Sequence, residues 1–105
     1  MANIAQLEWR PSAFSVKCYT EPLEGIVNGF VSQNDRWGIH KCGKNRWGLT
    51  ILSQGTRINS ASSMAALKRL AAQLDAISGI DKDNLSKTCI RRMMRVRDQW
   101  LREEG

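Results

Sequence analysis

Few residues of this chain have the type and spacing to do covalent or metal chemistry. His40, the one histidine, lies two residues before Cys42, and Cys18 supplies another thiol upstream. On an extended strand, residues at i and i+2 point the same way. His40, Cys42 and Cys18 therefore offer three ligands to a metal ion. Structural zinc takes four, and the chain has neither a Cys-x-x-Cys pair nor a second histidine. A Cys–His nucleophile fails on similar grounds: i and i+2 are neighbours by default, and no third group orients the base. Gly38, Gly43 and Gly48 do not have the spacing of a phosphate-cradling loop. The expectation is a non-enzymatic protein with no metal and no cofactor.

Binding chemistry is better represented. In the segment RWGIHKCGKNRWG, from Arg36 to Gly48, the triplet Arg-Trp-Gly occurs twice, ten residues apart. The segment carries Arg36, Lys41, Lys44 and Arg46 and no acid; with Arg57 the acid-free stretch extends through residue 59. Most of the net charge of +6 arises there, while residues 81–105 hold seven basic and five acidic side chains. A field of this sign favours nucleic acid, a nucleoprotein or an acidic protein surface.

These side chains need elements to position them, and 105 residues are enough for a single domain, 1–105. No apolar run approaches the ~18 residues that cross a bilayer, so no membrane partner is expected. The N-terminus lacks the basic start and apolar core of a signal peptide. Three widely spaced cysteines fit a reducing compartment better than a disulfide framework. The expected location is cytoplasmic.

Residues 12–19 alternate, with Phe14, Val16 and Cys18 on one side, as a half-buried strand does. Glu21-Pro22-Leu23-Glu24-Gly25 interrupts, residues 26–31 are a weaker strand, and Ser32-Gln33-Asn34-Asp35 is a turn. In 36–42, Trp37, Ile39 and Lys41 share a face; in 46–52, Trp47, Leu49 and Ile51 do. Gly43-Lys44-Asn45 between them supplies turn chemistry, so the simplest reading is an antiparallel hairpin with both indoles inward. On its outer face lie Arg36, Gly38, His40, Cys42, Arg46, Gly48 and Thr50. Thr56-Arg57-Ile58 is a short further strand.

The remainder has helical periodicity. Ser60, Ser62 and Ser63 are candidate N-caps for a helix over about 61–78, with Met64, Leu67, Leu70, Ala71, Leu74 and Ile77 in one stripe and Ser78-Gly79 as its stop. Asp81-Lys82-Asp83-Asn84 links it to a helix over about 85–103. There Leu85, Cys89, Met93, Val96 and Trp100 fall in one arc, Ile90, Met94 and Leu101 in a second, and Arg91, Arg95 and Arg102 opposite. The fold class is α+β: a three- to four-stranded antiparallel sheet, with hairpin 36–52 at its centre, followed by two C-terminal helices, at least the first of which covers the tryptophan face.

This arrangement is similar to small sheet-reading DNA-binding modules such as the arm-binding domains of tyrosine recombinases. On such a face, Arg36, Lys44, Arg46 and Arg57 would contact phosphates and His40 or Thr50 would lie nearer base edges. Gly38 and Gly48 would let a backbone approach closely. Lys41, Arg91 and Arg95 would extend the basic surface. In size and style the chain also resembles the small basic accessory proteins of bacteriophages and mobile elements. Some of these, anti-CRISPR proteins among them, block a host defence complex. The expected function is therefore binding of nucleic acid or a nucleoprotein through a basic sheet face. The alternative is inhibition of a host protein complex through the C-terminal helix. Its second arc of Ile90, Met94 and Leu101 would face a host subunit or a second copy in a homodimer.

Overall fold

The computed structural model describes residues 7–17, 24–77, 79–80 and 85–104. Among these, five strands precede two helices: β1 (Trp9–Lys17), β2 (Glu24–Ser32), β3 (Trp37–Gly43), β4 (Arg46–Ile51), β5 (Thr56–Ala61), α1 (Met64–Asp75) and α2 (Lys87–Glu104). The strands form one antiparallel meander in the order β1-β2-β3-β4-β5. The class is α+β, as the alternation of periods predicts, but the sheet has five strands rather than three or four. The two stretches weakest by propensity, around 26–31 and 56–58, became full strands. Neighbouring strands supply the pairing that their own side chains do not: β2 is held between β1 and β3, and β5 pairs with β4 from Trp47↔Ala61 to Ile51↔Thr56. Cys18, the interruption around Pro22, Ser78 and the 81–84 linker lie outside the described residues.

Short polar residues make the connections. Between β2 and β3, Asp35 takes a left-handed φ of 59° and its N–H donates to Ser32 C=O at 2.9 Å. The buried Ser32 hydroxyl accepts from Trp37 N–H at 3.0 Å, and Asn34 Oδ1 accepts from Arg36 N–H at 3.2 Å. Between β3 and β4, Asn45 takes φ 56°, a conformation that asparagine tolerates better than most residues. A bulge at Cys42 shifts the register between Lys41↔Trp47 and Gly43↔Arg46.

The tryptophan face packs on the helices as expected. Trp37, Ile39, Leu49 and Ile51 are fully buried against Leu67, Leu70 and Leu74 of α1 and Cys89, Met93 and Trp100 of α2, with Trp47 partly buried at the margin. Ser63 caps α1, accepting from Ala66 N–H; Ser60 cannot serve because β5 continues through Ala61, and Ser62 lies one residue ahead of the cap. α1 ends at Asp75, short of residue 78, and Gly79 has a left-handed φ of 85° beyond it. Ser86 caps α2 through Cys89 N–H at 3.0 Å. Trp100 Nε1 donates to Ala66 C=O at 3.0 Å, so the end of α2 lies on the first turn of α1.

The other face of the sheet is where the structure departs most from expectation. It is covered, and by the sheet itself. Phe14, Val16 and Val31 form a second buried cluster, flanked by Val27 and Leu52. Lys17 N–H donates to Gly55 C=O at 2.8 Å, joining the end of β1 to the β4–β5 turn. In a flat sheet, strands so far apart in order would be separated by roughly 15 Å. The sheet is therefore curled, and the β1–β2 hairpin folds over the back of β3 and β4. Gly38 permits this: a Cβ there would lie 2.8 Å from the Phe14 ring and 2.9 Å from Leu52. The close approach that Gly38 allows is made by the protein's own aromatic ring.

Candidate functional site

The residues expected to form one binding face on the hairpin are dispersed. Arg36 pairs with Asp75 at 2.5 Å, the two side chains being about one-fifth exposed (22% and 21%). Asp75 Oδ1 also accepts from Trp37 Nε1 at 2.9 Å and Asn34 Nδ2 at 3.0 Å. A carboxylate at the last residue of a helix faces the negative end of the helix dipole; these three donors, one of them cationic, compensate it. Arg36 thus belongs to an internal clasp between sheet and helix, not to an open basic surface.

His40 and Thr50 are equally unavailable. His40 is 5% exposed and Thr50 1%. The imidazole stands edge-on to the Phe14 ring, centroids 5.8 Å apart at 74°, and its Nδ1 has no hydrogen-bond partner among the described residues. Burial, and secondarily the positive charge of Arg57, hold its pKa below the ordinary 6.5. Neither residue reaches a base edge, because both are buried, His40 against Phe14 of β1. The expected sheet-reading mode is corrected on this point: the face such a module would use is packed interior.

The hairpin's remaining cations are exposed but do not converge. Lys41, Lys44 and Arg46 sit at or near the β3–β4 turn, and Arg46 Nε donates to Ser60 Oγ at 3.2 Å. Arg36 is at the opposite end of the hairpin, roughly 20 Å away at the rise of a strand. Arg57 lies on β5 with its side chain against Gly48; a Cβ at Gly48 would be 3.1 Å from Nε. Among the described residues, which do not include Cys18, no group of three or more His, Cys, Asp or Glu side chains is placed to hold a metal ion.

Helix α2 carries what the sheet does not. From Lys87 to Arg97 it holds Lys87, Arg91, Arg92, Arg95 and Arg97 with no acid. Lys87, Arg91, Arg92, Arg95 and Arg102 are exposed. Cys89, Met93 and Trp100 anchor the opposite side in the core. Ile90, Met94 and Leu101, the second apolar arc, are exposed at 43%, 49% and 40%. They run beside the arginines, and Ile90 and Met94 also border the gap between α2 and the β4–β5 region. Arg91, Arg95 and Arg102 occupy a ~40° arc, spread over about 16 Å of helix axis.

Sequence reasoning gave Arg91 and Arg95 a secondary role and passed over Lys87 and Arg92. The signal was present in the acid-free run KTCIRRMMRVR, but flanking acids dilute it when charge is averaged over the whole C-terminal quarter. No described helix is long and apolar enough to cross a membrane. No known protein family, curated protein or solved structure matches this chain.

Proposed function

We propose that this protein is a small, basic, non-enzymatic accessory protein that binds nucleic acid or a nucleoprotein, and that α2 is its contact surface. The observation that carries this reading is the acid-free run Lys87–Arg97 on a helix whose other side is buried. A helix fixed along one stripe presents its cations at set positions, so little ordering is needed to align them with a phosphate backbone. An α-helix also fits the ~12 Å major groove of a duplex, and Arg91, Arg95 and Arg102 would follow one wall of it.

The test is fluorescence anisotropy with a labelled mixed-sequence duplex and the corresponding single strand, across a salt series. Binding through α2 should weaken steeply with salt. It should be lost in the double variant Arg91→Glu, Arg95→Glu while surviving Lys44→Glu, Arg46→Glu at the hairpin tip. No measurable binding to either form at low salt would defeat the proposal.

A second reading is favoured by the exposure of Ile90, Met94 and Leu101 next to those arginines. Apolar and cationic stripes side by side suit an acidic protein surface with apolar pockets, as in an anti-CRISPR-type inhibitor of a host defence complex. Capture from nuclease-treated lysate should then recover a host subunit with the native protein and not with Met94→Lys. A doubled mass in solution, reduced to the monomer by Leu101→Lys, would instead assign the stripe to a homodimer.

A further inference from the structure

Between α2 and the β4–β5 region lies an open cleft of about 390 Å³. Its lining is mainly apolar, with Ile51, Ile58, Leu85 and Met93, the exposed Ile90 and Met94, and the polar Gln54 and Thr56. Arg97 stands in its wall, and among the described residues no acidic side chain lines it. The guanidinium is under-used: among the described residues Nε is buried without an acceptor, and the group's one ion pair is a 3.4 Å contact with Asp98, itself more than half exposed. Arg57 also borders the cleft, but its guanidinium lies against Gly48 on the other face of the sheet. An apolar chamber of this size with one under-paired cation has the form of a small-molecule site: bulk hydrophobic contact, and a single charge to orient the ligand.

We propose that this cleft binds a small amphipathic carboxylate, a single acyl or aryl group bearing one anionic head. The tail lies on Ile51, Ile58 and Met93, and the head is held by the terminal nitrogens of Arg97. Methionine suits such a wall because its unbranched side chain adjusts to the ligand's outline. A carboxylate rather than a neutral polar head is specified because a guanidinium short of acceptors takes up a charge-assisted pair. Neither nucleic-acid binding nor a protein partner is required for this site.

The probes are decanoate, decanol and decyltrimethylammonium, each below its micellar concentration. The readout is the ε-methyl signals of methionine in NMR. Decanoate is expected to shift Met93 and Met94 saturably while leaving Met64, on α1, unmoved. Decanol should bind about tenfold more weakly, the size of a lost charge-assisted hydrogen bond, and decyltrimethylammonium more weakly still. Arg97→Gln should reduce decanoate affinity to that of decanol and leave decanol unchanged. The proposal is overturned if the three probes bind native protein equally, if the shifts at Met93 and Met94 do not exceed that at Met64, or if Arg97→Gln retains the preference for decanoate. The comparison among probes on native protein stands even if the variant fails to fold.

Discussion

The indole Nε1 of Trp37 donates to the Asp75 carboxylate at 2.9 Å, tying the first residue of β3 to the last residue of α1. Arg36 and Asn34 converge on the same oxygen. The first Arg-Trp-Gly triplet therefore has a job that the second does not. Trp37 and Arg36 close the sheet on the helix, while Trp47 and Arg46 sit at the margin and the turn.

Removing Asp75 should expose how much of the fold depends on that clasp. Asp75→Ala leaves a buried indole N–H and a half-buried guanidinium without their acceptor, at a cost of about 2–4 kcal/mol. Asp75→Asn retains an acceptor oxygen and should cost less. Arg36→Glu should destabilise as well, placing two carboxylates together. Urea denaturation of the three variants checks the order; native-like midpoints for Asp75→Ala and Arg36→Glu would show that the clasp contributes nothing.

Two glycines should respond oppositely to alanine. At Gly29 a Cβ would lie 2.2 Å from Ile39 C=O, a backbone atom in the middle of the sheet that cannot give way. Gly29→Ala should cost several kcal/mol, on the order of overpacking or more. At Gly48 the nearest atoms belong to the exposed Arg57 side chain, which can swing aside. Gly48→Ala should therefore stay within about 1 kcal/mol of native. Thermal melts of both variants at one pH decide it.

His40 should make stability fall in mild acid. Its folded pKa is lowered, by burial first and by Arg57 second. Above 6.5 the side chain is neutral in both states and has no effect on the pH dependence. As pH drops below 6.5 the unfolded chain takes up a proton that the native state refuses, so the native state loses ground until its own lower pKa is reached. The native midpoint should thus decline between pH 6.5 and about 5.5, before most carboxylates titrate. In His40→Phe that decline should be absent; an identical decline in the variant would assign it to other groups.

The arginines of α2 should be dispensable for folding. Arg91 and Arg95 are like charges at i and i+4, a pair that opposes the helix by a few tenths of a kcal/mol. Arg91→Gln with Arg95→Gln should leave the melting temperature level or slightly raised. In the nucleic-acid assay the same double variant should flatten the log–log salt dependence by about two. A fall in melting temperature with an unchanged salt slope would make these arginines structural.

Much of this architecture was legible locally. The period of two in 36–42 and 46–52 placed both indoles toward the helices. The three- and four-residue steps of 61–78 and 85–103 placed the helix cores, and Ile90, Met94 and Leu101 were correctly left over. These are properties of one element at a time, set by side-chain direction along a strand or helix. What the hairpin's other face would meet was not of that kind. Gly38, His40 and Thr50 alternate as an outward face should, and only the curl of the sheet, closed by Lys17 N–H on Gly55 C=O, turns them into an interior, Gly38 and His40 against Phe14. Likewise Arg36 reads as a free cation until α1 brings Asp75 to it from 39 positions away. A sequence determines which side chains share a face; whether that face stays in water depends on contacts between residues distant in the chain, and those exist only once the strands have bent and the helices have packed.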